Sequence, residues 1–246
     1  MRTGAQATTL SSEAYHIIRQ RILRGDVVLG QVISRRKLAV ELGMSFLPIS
    51  EALQKLEFEG LLESRPRAGT RVRIPSRQDV AGHYVLREAL EVQAARLFCD
   101  VATAEQREEL KKLALRVDAL SSATDAGRSE FLVCHEKLHR RIAEGSRCAA
   151  LVDAIERTHA LASTWLCVTS PADHQLSQRR HEAMVAAVCG TNPEAASEAV
   201  RAHIFQARES LLRRLEPYFK LNRNRSKTFS RNPKLFGIPA LTPPVN

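Results

Sequence analysis

Residues 34–74 admit few folds. They open with Ser34-Arg35-Arg36-Lys37-Leu38-Ala39-Val40-Glu41-Leu42-Gly43-Met44-Ser45, continue through a helical run over 46–59, and close that run with Gly60. Ser34 can cap a first helix, Gly43 can take the left-handed conformation that ends it, and Ser45 can cap a second. Leu38, Leu42, Ile49, Leu53 and Leu56 recur at three- and four-residue spacing, which gives both helices an inward face. Leu61-Leu62-Glu63-Ser64 and Thr70-Arg71-Val72-Arg73-Ile74 then alternate as strands around Arg65-Pro66-Arg67-Ala68-Gly69. Two short helices and a hairpin carrying Arg65, Arg67, Arg71 and Arg73 make a winged helix-turn-helix, a shape suited to a DNA major groove.

Charge is distributed to match. Residues 1–77 hold 13 basic and 7 acidic side chains, residues 78–219 hold 18 and 20, and residues 220–246 hold 6 and none, within a formal net charge of +10. The excess therefore lies on the winged segment and the tail, where phosphate binding needs it. The 246 residues suit two domains. The five cysteines (99, 134, 148, 167, 189) form no CxxC pair and fall among Ala, Leu and Val, as reduced core residues of a cytoplasmic protein do. The longest uncharged stretch, 160–172, is too short to span a bilayer, and no signal-peptide pattern follows Arg2, so no membrane insertion or export is expected.

A first helix is expected over 11–24, with Ala14, Ile17, Ile18 and Ile22 inward, then a crossing loop over 26–33. The linker falls at 75–78. Six helices follow, over 79–99, 104–120, 129–143, 149–168, 173–189 and 193–215, with Thr103 and Asn192 as starts, Pro193 in a first turn and Gly145 and Gly190 as stops. Apolar spacing such as Leu86, Leu90, Ala94, Leu97 and Leu132, Leu138, Ile142 points to an antiparallel bundle. The expected architecture is mainly α: a winged helix-turn-helix domain over 1–76, a six-helix antiparallel domain over 77–220, and a basic, flexible tail over 221–246.

His135 and His139 are four apart on one helix, and His181 and His203 lie on the fifth and sixth helices of the second domain. Four imidazoles converging in a bundle would hold a divalent ion such as Zn²⁺, Ni²⁺ or Mn²⁺. On spacing alone the signal is weak, since an i, i+4 histidine pair is usually a surface or hydrogen-bonded feature. His16, His83, His159 and His174 have no such partner and read as structural.

Over residues 12 to about 216 the chain resembles the GntR family of bacterial transcription regulators with an FCD ligand-binding domain. The resemblance is carried by LAVELGMSFLPISEALQKLEFEGLLESRPRAGTRV, LREALEVQAARL, LHRRIAEGS, RRHEAMVAAV and VRAHI. The six-helix length resembles the shorter, VanR-like branch. The resemblance implies a metal held by three histidines and an aspartate on the floor of an effector cavity. His139, His181 and His203 fall on the histidine positions, and His135 stands where the family usually has aspartate. Arg87 resembles a position that can face the effector. Arg36, Pro48, Glu51 and Gly69 agree with the family's DNA reader, whereas Phe46, Leu47 and Ser50 replace its usual Arg, Thr and second Arg.

The resulting expectation is a homodimeric regulator that is not an enzyme. It would place Arg35, Arg36, Ser45, Phe46, Leu47, Pro48, Ser50, Arg65, Arg67, Gly69 and Thr70 on a palindromic operator, and would respond to a small anionic metabolite. Two rivals stand beside it. A metal-dependent hydrolase fused to a DNA-binding module needs a general base, and Glu136 is the acidic residue beside the histidine pair. A basic DNA-binding protein without an effector would bind without sequence preference.

Overall fold

The structure is a computed structural model that describes residues 9–23, 25–65, 68–121, 125–168 and 180–231, with the side chains of 125–129, 160, 163–164, 166–168 and 221–231 outside that description. Helix α1 (Leu10–Leu23) packs against α3 (Phe46–Phe58). The contact buries Ala14, Ile18 and Ile22 of α1 and Ile49, Leu53 and Leu56 of α3. Each fully buried isoleucine or leucine there stabilises the domain by about 1.5–3 kcal/mol. Tyr15 adds a polar lock: its hydroxyl donates to Glu59 at 3.0 and 2.9 Å, and Lys55 Nζ lies 4.0 Å above its ring.

Helix α2 (Arg35–Leu42) is capped by Ser34, whose hydroxyl accepts from the Lys37 N–H, and is ended by Gly43 at φ 61°. Ser45 occupies the N-cap position of α3 with extended backbone but makes no side-chain cap bond, unlike the expected cap, so its hydroxyl stays exposed. The wing is β2 (Leu62–Arg65) paired with β3 (Gly69–Val72), and β1 (Val32–Ile33) adds a third antiparallel strand on the far side of β3. Sequence reading takes β1 as loop, because two residues cannot display an alternation.

Six helices follow: α4 (Arg77–Val101), α5 (Ala104–Leu120), α6 (Asp125–Gly145), α7 (Ala149–Val168), α8 (Arg180–Val188) and α9 (Pro193–Arg231). Capping boxes start α4 (Ser76 with Asp79) and α5 (Thr103 with Gln106). Helices α4 and α9 run antiparallel, as three ion pairs along them record: Arg96 with Glu194, Arg201 with Glu88, and Arg77 with Glu216.

Two expectations change here. The helix expected over 173–189 is described only from Arg180, since 169–179 lie outside the described residues. The last helix was expected to stop at 215 and a flexible tail to run over 221–246, yet α9 continues through Pro217 to Arg231; residues 232–246 of that tail lie outside the described residues. A proline costs the helix one N–H and crowds the preceding turn. Packing offsets this, because Leu211, Leu215 and Phe219 are buried and the Arg77 guanidinium lies 5.3 Å from the Phe219 ring centre.

Helix α7 is in contact with both halves of the molecule. It packs against α1, its Leu161 lies beside Gly60 at the end of the DNA-side helix pair, and His159, two residues earlier, reaches Glu91 of α4.

Candidate functional site

The outward face of the winged segment begins at α3. Phe46 and Leu47 are 55% and 67% exposed, so Phe46 is not a core residue. Ser50 donates its hydroxyl to the Phe46 carbonyl at 2.9 Å, which leaves only its lone pairs for a base. Lys55, the cation of this helix, is drawn onto Tyr15. Arg36 is exposed and makes no ion pair among the described residues, as a phosphate-contacting side chain requires.

The wing holds a smaller set of available cations than its sequence suggests. Arg65 is exposed, with Glu63 at 3.5 Å, and Arg67 lies outside the described residues. Arg71 donates to Glu63 at 2.6 Å, and Arg73 pairs with Asp79 at 3.0 Å, tying the wing to the start of α4. Pro48 and Thr70 are buried. Thr70 Oγ1 accepts from Arg35 at 3.3 Å and lies 3.0 Å from Ser64 Oγ, so Arg35 and Thr70 together fix where the wing stands. Gly69 sits at φ 75°, opposite Arg65 in the strand register, and supplies the left-handed residue that starts β3.

Inside the helical domain the four histidines meet. One ring nitrogen from each of His135, His139, His181 and His203 lies within 4.8 Å of the others. His139, His181 and His203 are buried and His135 is half-buried. His139 Nε2 and His135 Nε2 stand 3.3 Å apart. Tetrahedral imidazoles at about 2.1 Å from an ion place their nitrogens about 3.4 Å apart, so this pair already has ligand spacing.

Two carboxylates orient the rings. His139 Nδ1 lies 2.7 Å from Glu91 Oε2, and His181 Nδ1 donates to Asp118 at 2.6 Å. Each contact fixes the tautomer that leaves Nε2 as a lone pair turned toward the other rings. His181 Nε2 and both nitrogens of His203 are buried without a hydrogen-bond partner among the described residues. Burial, reinforced by the neighbouring rings, drives His135 and His203 well below the usual imidazole pKa. Burial also brings His139 down to about 4 against the pull of Glu91, so the set is neutral. Neutral, convergent and orphaned nitrogens fit a divalent ion; the donor set is all nitrogen and suits Zn²⁺ or Ni²⁺ better than Mn²⁺.

Glu91 is the hinge of the arrangement, and sequence reading misses it. Arg87 Nε donates to its Oε1 at 2.7 Å, and His159 Nε2 lies 3.0 Å from the same oxygen. Burial raises the Glu91 pKa, but Arg87, His159 and His139 together outweigh it and hold the carboxylate well below its usual range. Glu91, His139 and His159 could themselves be grouped as ligands. The Arg87 cation on the same carboxylate argues instead that Glu91 and His159 support His139 from behind. Arg87, the residue expected at the effector, is only 3% exposed and its donors face Glu91 and His159, where Nη2 stands 3.3 Å from Nε2.

His159 and His83, read as structural, have polar partners in those roles: His159 Nε2 lies 3.0 Å from Glu91, and His83 Nε2 lies 2.8 Å from the Thr158 carbonyl. Asp118 is also missed. Besides orienting His181, it accepts the N–H groups of His181 and Glu182 and so caps α8. The sequence signal for Glu91 was its i, i+4 spacing from Arg87, which reads equally as a surface ion pair.

A DNA-side winged helix joined to a helical domain with an ion-ready centre defines a ligand-responsive DNA-binding regulator rather than an enzyme. The family profile described as "Bacterial regulatory proteins, gntR family" matches residues 10–72, and the profile "FCD domain" matches residues 83–206. The chain belongs to the GntR family of bacterial transcription regulators, in the group that carries an FCD domain. It is 29% identical over 201 residues to the "Probable D-xylose utilization operon transcriptional repressor" of Paenarthrobacter nicotinovorans, covering 80% of this chain and 86% of that one. Its fold is similar to that of a GntR transcriptional regulator from Rhodococcus sp. RHA1, with TM-score 0.69, 20% identity, and 82% and 97% of the two chains covered. Escherichia coli McbR/YncC has the same fold, with TM-score 0.68, 20% identity, and 84% and 98% covered. Membership leaves the hydrolase and effector-free rivals without support. No helix of the described residues is long and apolar enough to cross a membrane.

Proposed function

We propose that this regulator is a homodimer whose affinity for a palindromic operator is set by a small anionic metabolite, with a divalent ion held by His135, His139, His181 and His203. One observation carries the anionic class: the four ligand-ready imidazoles are neutral, and the Glu91 charge beside them is already balanced by Arg87. An ion held by this set keeps its positive charge, and a carboxylate is its natural complement. The bound ion would supply a Lewis-acidic coordination position for such an anion. His139 and His181, fixed by Glu91 and Asp118, would orient it.

The DNA-facing residues are Arg36, Ser45, Phe46, Leu47, Ser50, Arg65, Arg67 and Gly69, while Arg35, Pro48 and Thr70 position them. The partition is 1–76 for DNA, 77–220 for effector and dimer, with the basic residues beyond 220 adding to DNA affinity. Six helices from α4 to α9 support the VanR-like branch. Val85 and Leu86 on α4 and Phe205 on α9, helices that the Arg201–Glu88 pair joins, are exposed apolar side chains, and this supports a second copy docking on that helix pair. The work of such a regulator places it in the cytoplasm.

Coupling needs differential contact, and α7 offers the route: it reaches Glu91 through His159 and the end of α3 through Leu161. Sites selected from random DNA should be palindromic and bind two chains. Organic acids added to the ion-loaded protein should change operator affinity about 5- to 150-fold. Binding of single chains without sequence preference, or an affinity no organic acid alters, would contradict the reading.

A further inference from the structure

Arg180 opens α8, immediately before His181. Its Nε and Nη2 atoms are buried and have no hydrogen-bond partner among the described residues. These two nitrogens form one edge of the guanidinium, the edge that grips both oxygens of a carboxylate side-on. The acidic group nearest in charge, Asp118, is already engaged: it accepts from His181 Nδ1 at 2.6 Å, from the His181 N–H at 3.1 Å and from the Glu182 N–H at 2.9 Å. Burial lowers the Arg180 pKa, with Asp118 and buried Tyr84 opposing it. The same guanidinium is close enough to His181 and His203 to depress both. A desolvated cation with an unfilled donor edge costs stability, and native proteins keep few such groups without a use for them.

We propose that Arg180, rather than Arg87, is the cation that binds the effector, clamping a carboxylate through its Nε–H and Nη2–H beside the histidine cluster. The proposal rests on the anionic-effector reading and adds the residue that selects for a carboxylate. It also explains the division of labour between a buried and a half-buried arginine. Arg87 faces Glu91 and keeps a ligand histidine in place, whereas the donor edge of Arg180 has no acceptor among the described residues. A planar fork demands two oxygens in one plane, so amides and alcohols of the same size are poor substitutes.

The test uses the full chain loaded with Zn²⁺ and titrated with acetate, oxalate, succinate and citrate, in wild type, Arg180→Gln and Arg180→Lys. At least one of these acids should stabilise the wild type, with affinity falling roughly 10- to 100-fold in Arg180→Gln and less in Arg180→Lys. Zinc content should be unchanged in both variants, and the metal-free Arg180→Gln protein should be as stable as wild type or more so. An acid that binds wild type and Arg180→Gln equally would overturn the role of Arg180 while leaving the anionic effector standing. Stabilisation of neither protein by any of the acids would remove both. A metal-free Arg180→Gln chain that is less stable, with acid affinity unchanged, would make Arg180 structural and also overturn the proposal.

Discussion

Glu91→Gln is the perturbation on which the buried polar network makes its largest prediction. Glu91 accepts from Arg87 Nε at 2.7 Å and has His159 Nε2 at 3.0 Å and His139 Nδ1 at 2.7 Å, all at positions no more than a few per cent exposed. An amide keeps the shape but removes the charge, which leaves the Arg87 guanidinium buried and uncompensated. Breaking a buried pair from one side costs about 3–5 kcal/mol, a large share of the stability of an ordinary domain. The substitution also weakens the acceptor that fixes the His139 tautomer, and a change of that kind lowers metal affinity about 10- to 100-fold. Urea denaturation of the metal-free protein would measure the first effect, and competition with a zinc-binding dye the second. Arg87→Met/Glu91→Gln removes both charges, so it should regain most of the stability but not the zinc affinity. A Glu91→Gln protein with unaltered denaturation midpoint and unaltered zinc affinity would refute the network.

Selection of sites by wild type and by Phe46→Arg should give different logos, with a guanine preference of about 1–3 kcal/mol per bidentate contact in the mutant alone; identical logos would show that residue 46 does not face bases. Acid should destabilise the metal-free protein well above the usual carboxylate range. His139 binds its proton near pH 4 when folded against an ordinary 6.5, so the unfolded chain holds more protons in that window. Stability is therefore full above pH 6.5 and is lost as pH falls toward 4, by about 3 kcal/mol from His139 alone. Melting temperatures that stay level from pH 7.5 to 5 would mean the imidazoles are not held neutral.

The winged segment was legible because its signals are local. Ser34, Gly43 and the 38-42-49-53-56 spacing each act within a turn or two, and the helix bounds there follow them closely. The helical domain was legible in outline and misread on one face of α4. Periodicity picks Leu86, Leu90, Ala94 and Leu97, yet Leu86 is 49% exposed. The buried stripe is Val80, Tyr84, Arg87, Glu91, Ala94, Ala95, Phe98 and Cys99, with two charged residues in its middle. Apolar spacing cannot register a stripe whose centre is an ion pair, because charge is read as surface. The same bias left His159 as structural and passed over Asp118, whose role depends on α8 ending its search for a cap 63 positions along the chain. Four of the wing and α2 arginines looked alike in sequence; their acidic or hydroxyl partners at Glu63, Asp79 and Thr70 distinguish Arg71, Arg73 and Arg35 from exposed Arg36 only in three dimensions.

The measurement that bears most directly on the account is the metal content of the full chain purified without a histidine tag or chelator, followed by zinc uptake after stripping. One divalent ion per chain is expected, with His181→Ala and His203→Ala each losing it while the fold persists. Protein that carries no ion and takes up none of Zn²⁺, Ni²⁺ or Mn²⁺ would contradict the claim that these four histidines form a metal centre.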